Sequence, residues 1–378
     1  MSIAEFYKIK RAEVVSPDPV EAVHSLSGQL HKDDIAGVIF FCSSSYDQDA
    51  LAAEFRARFD CPVAGCTTAG EIGTRYQENG IVAVSFGKSD FCLHPVLIPS
   101  MAGFDAKASF EMADKVRGQL EFSQDLDPDA MFAMVLLDGL SVMEEPVTAY
   151  IHAALKGVPL IGGSAGDSLK FRETRVFADG RFYTGAGVFI MIESRLPFKT
   201  FKLQHFEPSD KDLVITEADP KTRVVSEIDG APAAEEYASI LGLKIQELSP
   251  QVFARYPVML EIGDQWYVRS IQKVNPDGSL TFFCAIDNGL VLTVARGVGF
   301  VETLEAAIDK LAAEFSTILC TIGCDCILRR LELTETGKTA RAEAALARLN
   351  FVGFSTFGEQ FNAIHVNQTL TGVVIGEK

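Results

Sequence analysis

The sequence predicts a mixed α/β protein, part α/β and part α+β, with two domains built from pseudo-repeated strand, helix, strand and loop units in mixed sheets. Two observations carry this expectation. Three windows share one order of features: GVIFFCSSSYDQDALAAEFRARFDCPVAGCTTAGEI, FAMVLLDGLSVMEEPVTAYIHAALKGVPLIGGSAGD and STILCTIGCDCILRRLELTETGKTARAEAALARLNFVGFSTFGE. Each runs from an apolar stretch through a polar turn and an amphipathic stretch to a short apolar segment that closes on a glycine loop. The opening apolar runs also do not alternate, which suits strands covered on both faces.

The elements follow in order. VIFF and FAMVLL read as buried strands, and the amphipathic stretches behind them as helices. In the loops Gly65 aligns with Gly162 and Gly353, and Gly70 and Glu71 align with Gly358 and Glu359. In the middle copy Gly166 and Asp167 take those places after a one-residue gap. A further apolar strand follows each loop: GIVAVSF, GAGVFIMI and LTGVVIG. Between the second and third units, TRVVSEIDGAPAAEEYASILG reads as a strand, a tight turn and a helix starting near Pro232. The alternating stretch from YPVMLEIG to LVLTVARG, with NPDGS as a turn, reads as antiparallel strands. The polar, proline-bearing stretch 207–222 reads as a boundary. The expected division is therefore an N-terminal segment 1–34, a first domain 35–215 with two repeats, and a second domain 222–378.

Composition excludes several classes. A chain of 378 residues exceeds one typical core, and 48% hydrophobic against 22% charged residues speaks for a globular protein. A net charge of −17 repels phosphate backbones, so no nucleic-acid partner is expected. The opening stretch MSIAEFYKIKRAEVVSP lacks a signal-like apolar region, and no apolar run reaches the ~18 residues of a membrane span. A cytoplasmic location without membrane insertion is the expectation, with the eight cysteines kept reduced.

Loops at strand ends line the crevice where open α/β sheets bind ligands, and small residues let the backbone approach a ligand or another segment closely. The candidate ligand contacts are Gly65, Cys66, Thr67, Thr68, Glu71, Asp138, Gly163, Ser164, Asp167 and Glu359, with Glu71 and Asp167 suited to an ammonium group. A hydroxyl nucleophile needs a positioned base, and no histidine adjoins these loops. The chain is expected not to be an enzyme; a hydrolase using Ser164 or Cys66 is the alternative. Cys320, Cys324 and Cys326 form a dense thiol cluster that metal or redox duty would explain, as would burial. Cys66 reads as a small filler residue.

The words GCTTAGEI (65–72), LLDGLS followed by EE (136–145), IGGSAGD (161–167), IDGAPAAEEY (228–237) and GFSTFGEQFNAIHVNQTLTG (353–372) resemble the FIST family, sensory proteins with an N-terminal and a C-terminal FIST domain. With QHFEP (204–208) and HVNQT near the end, the chain looks like the NosP-type nitric-oxide-sensing haemoproteins. That resemblance implies haem b as cofactor, nitric oxide as the gas ligand and a separate histidine kinase as the partner whose phosphorelay it alters. Other members of the family are thought to bind small amino-acid-like ligands without haem, and that remains the second reading.

Haem needs an axial ligand at the wall of an apolar pocket. His205 leads because its motif marks the haemoprotein-like subset, with His94 and His365 as lesser candidates. His94 and His205 both read as strand residues, and an ordinary hydrogen-bonded core histidine has the same surroundings. His24 and His31 read as solvated and His152 as a partly buried helix residue.

Overall fold

The computed structural model describes residues 8–30 and 34–378. His31 lies outside the described residues. Among the described residues the strands form three six-stranded mixed sheets and one antiparallel eight-stranded sheet.

The three windows become three equivalent units. Each has a parallel central pair: Ile35–Ser43 beside Val63–Thr68, Met131–Leu137 beside Leu160–Ser164, and Thr317–Cys326 beside Phe351–Thr356. The strand after each loop, Gly80–Gly87, Gly187–Ser194 or Leu370–Glu377, returns antiparallel to the first member of its pair. It also carries an outer antiparallel strand: Ile9–Val15, Phe91–Ile98 or Phe198–Leu203. Helices cross between the strands, and three begin on an aspartate cap. Asp18, Asp47 and Asp105 accept first-turn N–H groups of Pro19–Gln29, Gln48–Arg58 and Ala106–Arg117.

The short hairpin that follows each loop does not stay with its own sheet. Glu71–Ile72 and Tyr76–Gln77 extend the third sheet, Val176–Ala178 and Arg181–Tyr183 the first, and Glu359–Phe361 and Ile364–Val366 the second. The exchange is cyclic, so each unit completes a neighbour.

The lack of alternation along the buried strands now has a reason. Ile39 and Phe41 point into one core shared by all three sheets, with Met134, Leu136, Ile322, Phe354 and Val373. Val38, Phe40 and Cys42 point the other way, under helices Pro19–Gln29 and Gln48–Arg58. Equivalent outer layers cover the second and third sheets. Both faces are dry, so each strand is apolar throughout.

Gly65, Gly162 and Gly353 occupy one register position. Each faces the neighbouring strand of its parallel pair, at Phe40, Val135 and Gly323. A Cβ there would lie 2.4, 2.2 and 2.0 Å from the carbonyl oxygens of those residues. Close backbone approach, not turn geometry, fixes these glycines.

The fourth sheet is inserted into the third unit, between its outer strand Phe198–Leu203 and its first helix Phe300–Ala312. Residues 207–219, which read as part of a boundary, lie within the strand Phe206–Asp219, paired with Val291–Gly297. Its polar residues are the exposed side of an antiparallel sheet. Helix Ala233–Leu241 starts after Pro232 and packs Tyr237 into the insert's own core. Val298 N donates to His205 O at 2.7 Å, tying together the two chain crossings that form the neck of the insert.

Candidate functional site

The glycine loops converge, but on one another. Gly166 N donates to Thr67 O (3.0 Å), Ala69 N to Ser355 O (2.9 Å), Ser355 N to Gly70 O (2.7 Å) and Ser164 N to Gly358 O (2.8 Å). The expected open crevice along these loops is therefore closed by backbone pairing, the same exchange that places the hairpins.

The candidate polar residues of the loops are spent inside the chain. Glu71 accepts from Thr68 Oγ1 (2.5 Å) and Gly80 N (3.0 Å). Glu359 accepts from Thr356 Oγ1, Thr369 Oγ1 (2.7 Å) and Thr369 N (3.2 Å). Asp167 takes three backbone N–H groups, from Phe171, Arg172 and Glu173. Asp138 takes Leu140 N, Gly185 N and Thr174 Oγ1. Thr67 pairs with Arg175 across the sheet. These groups pin the hairpins and leave Glu71 and Asp167 no free oxygen for an ammonium. Burial pushes the carboxyl of Glu71 up to about 7 and that of Glu359 to about 8.

The thiols are core residues. Cys66, Cys320, Cys324 and Cys326 are all buried, and burial pushes the Cys320 thiol up to about 12 and the others well upward. Among the described residues no group of three or more His, Cys, Asp or Glu is placed to hold a metal ion, which removes the 320–326 cluster as a candidate. Gly163 stands against the Cys324 sulfur, where a Cβ would approach to 3.0 Å.

His205 is 2% exposed and lies in the link between Phe198–Leu203 and Phe206–Asp219, not on a strand. Its Nε2 is 2.9 Å from Glu332 Oε2 and its Nδ1 is 3.2 Å from Arg329 Nη1. Arg329 is itself held by Asp325 at 2.6 Å. Neither ring nitrogen is free for iron, and the adjacent cavity of about 480 Å³ is rimmed by Arg255, Arg296, Glu332, Glu335 and Lys338. The residues around His205 do not fit an axial haem ligand. His205 instead braces the neck of the insert, packed at a tilt between Phe206 and Phe300 with ring centroids 4.1 Å from each.

His94 fits better. It lines a cavity of about 580 Å³ with Phe55, Phe59, Phe177, Leu93 and Pro95, and with the polar side chains of Arg56, Gln119, Glu121 and Asp179. Its Nε2 is 2.8 Å from Glu193 Oε1, and no hydrogen bond reaches Nδ1. Burial pushes the Glu193 carboxyl up, but the Glu121, Phe122 and Ser123 N–H groups and His94 outweigh it and hold it low. His24 is exposed and His152 half-buried, as their sequence settings suggest.

His365 lies in a different environment, a buried polar junction where the second unit, the third unit and the insert meet. Ser164 Oγ accepts from Gln360 Nε2 (3.0 Å), which also lies 2.9 Å from His365 Nδ1. Gln360 stands between Ser164 and His365, so no serine–histidine pair forms. From the insert, Ser270 N donates to Asn367 Oδ1 (3.4 Å) and Arg269 Nη1 to His365 O (3.3 Å). Beside them Arg223 Nη2 meets Glu144 and Glu145 at the first turn of helix Glu144–Ala154, and Ala285 N donates to Glu145 at 2.5 Å.

Besides Arg269 Nε, five polar side-chain atoms of this junction are buried without a hydrogen-bond partner among the described residues: Ser270 Oγ, Gln360 Oε1, His365 Nε2, Asn367 Nδ2 and Gln368 Oε1. Buried polar groups are nearly always paired, so this cluster calls for partners that the chain itself does not supply, water or a ligand. His365 Nε2 and Asn367 Nδ2 converge on the face of Gly358, where a Cβ would lie 2.5 and 3.0 Å from them. Burial pulls the His365 imidazole down to about 4, with Glu145 opposing, so the ring is neutral. The sequence words EE, GGSAGD and EQFNAIHVNQT thus meet in space. Arg223 and Arg269 have no motif to announce them.

The chain matches the FIST N domain over residues 36–231 and the FIST C domain over residues 233–362. The chain belongs to the FIST family. FIST domains are generally sensory domains that bind small ligands in signal transduction, and the family is not typically enzymatic. A curated relative, an uncharacterized protein of Methanocaldococcus jannaschii, is 27% identical over 221 residues, covering 54% of this chain and 41% of the relative. The chain thus spans about two fifths of the length of the curated relative it matches. The two FIST matches meet inside the inserted sheet, next to helix Ala233–Leu241. No helix among the described residues is long and apolar enough to cross a membrane.

Proposed function

We propose that this FIST protein senses a small polar, amino-acid-like ligand at the junction of Ser270, Gln360, His365, Asn367 and Gln368, and passes its state to a separate histidine kinase. The observation that carries the reading is the group of five orphaned buried polar atoms. They offer both donors and acceptors, the complement of a ligand bearing a carboxylate and an ammonium group. The junction is shared by the insert and two repeat units, so a ligand there has differential contacts with any two arrangements of the insert, which a sensor requires.

The test is thermal denaturation of the full chain against a panel of amino acids and short dicarboxylates. A compound that raises Tm by several degrees in the wild type, and fails to do so in Asn367→Leu, supports the reading. A panel without effect overturns it.

Haem-based nitric oxide sensing is kept as a second reading by one observation, the cavity of about 580 Å³ at His94. His94 Nδ1 would be the iron ligand and Phe55, Phe59 and Phe177 the walls. Haem would supply the gas-binding iron; this chain would supply the ring, its orientation by Glu193, and the aromatic walls. The absorption spectrum of protein expressed with ample haem decides. A Soret band lost in His94→Ala but kept in His205→Ala supports this reading, and colourless protein that takes up no added haem removes it.

A further inference from the structure

The amide of Gln360 does two things at once. Its Nε2 donates to Ser164 Oγ at 3.0 Å and lies 2.9 Å from His365 Nδ1. An amide nitrogen donates only, so the Nδ1 it meets must accept. The ring proton of neutral His365 then sits on Nε2, the atom that has no hydrogen-bond partner and that faces Gly358 beside Asn367 Nδ2.

We infer that Gln360 is a positioning residue: by donating to Nδ1 it fixes His365 as an Nε2–H donor, so that this edge of the junction accepts an anionic or carbonyl oxygen and rejects a cationic group. The inference rests on the ligand-site reading given above. Three features support it together. Ser164 Oγ accepts the other hydrogen of the amide, so in this orientation both amide hydrogens are engaged. Gly358 lets the two donors pack closely against its backbone, because a Cβ there would stand 2.5 Å from Nε2. The Phe283 carbonyl lies beside the ring and favours its protonated form, yet closes no hydrogen bond on Nε2. A donor left unpaired at full burial is costly, and an incoming acceptor removes that cost.

The opposite amide orientation is the competing structure. With Oε1 toward the imidazole, the proton would sit on Nδ1 and Nε2 would be an acceptor selecting cations. The two are separable without any ligand. Full-length protein with ¹⁵N-labelled histidine gives the tautomer of each ring from long-range proton–nitrogen correlations, and His365→Gln assigns the signal. The expected result is a neutral Nε2–H ring from about pH 6 to about pH 8. Gln360→Glu, which can only accept, should move the proton to Nδ1 or leave the ring doubly protonated. Gln360→Met, similar in volume, should give a mixed population. An Nδ1–H ring in the wild type, or a ring indifferent to both substitutions, overturns the assignment.

The same signal reports the site. Added acetate and glycine, used as probes, should shift the Nε2–H resonance, with apparent affinity about tenfold weaker in Gln360→Met, the loss of one oriented hydrogen bond. An Nε2–H ring that neither probe perturbs would overturn the ligand site while leaving the tautomer as assigned.

Discussion

Arg223 Nη2 lies 2.5 Å from Glu144 Oε2, and both side chains are almost completely buried. The pair joins the insert to the second repeat unit, and Arg223 adopts a left-handed backbone (φ 57°) to reach it. Removing one partner of a buried pair strands the other charge, so Arg223→Met should cost about 3–5 kcal/mol. The double variant Arg223→Met with Glu144→Leu should recover most of that loss. Urea denaturation of the three proteins checks both statements.

Glu71 and Glu359 predict a pH dependence. Burial raises them from an ordinary value of 4.5 to about 7 and about 8, so the folded chain holds these protons more tightly than the unfolded chain. Their contribution is complete below about pH 4.5 and is lost as pH rises through about 7 and 8. Glu71→Gln and Glu359→Gln should each flatten this decline, by roughly 3 and roughly 5 kcal/mol at most across the window. Tm measured from acid to mildly alkaline pH is the readout, and an unchanged slope in both variants would refute the burial account.

The three register glycines should behave alike. Gly65→Ala, Gly162→Ala and Gly353→Ala each force a Cβ into a carbonyl oxygen of the neighbouring strand, and each should cost at least about 2 kcal/mol. Gly28→Ala is the control. It lies in helix Pro19–Gln29 with open space around it and should gain roughly 0.5–1 kcal/mol. Equilibrium unfolding of the four variants gives the comparison.

Ser270→Ala separates binding from stability. Its hydroxyl is buried and unpaired, so its loss should leave stability within about 1 kcal/mol of the wild type or raise it. A ligand that stabilises the wild type should stabilise this variant less. If the hydroxyl were structural, stability would fall and the ligand response would persist.

The repeat was legible because its signal is local. Unbroken apolar strands and glycines recurring at one place are properties of a single unit, and Phe41 and Gly65 could be read without knowing what lies opposite. The cyclic exchange was not legible, because the partner of Glu71–Ile72 is a strand some 280 residues later, Phe351–Thr356. That pairing also explains why Glu71, Asp167 and Glu359 read as ligand groups: a carboxylate in a glycine loop looks the same whether it faces a substrate or pins a hairpin. Arg223 and Arg269 gave no signal, since a lone arginine in a turn or an alternating strand reads as solvated. Among the histidines, QHFEP drew weight to His205, whereas the buried ring nitrogen without a partner among the described residues belongs to His365.

The hairpin exchange has a consequence for how the molecule comes apart. No repeat has a finished sheet until another unit lends it two strands, so none is a self-sufficient folding unit, and the order of synthesis leaves the first sheet's neighbour incomplete until the final residues emerge. Unfolding of the three repeats should therefore be one event. The insert, tied in by a two-stranded covalent neck at His205 and Val298 and by the buried junction at Arg223, Arg269 and Ser270, can open while the interlocked body stays whole only once that junction has been broken.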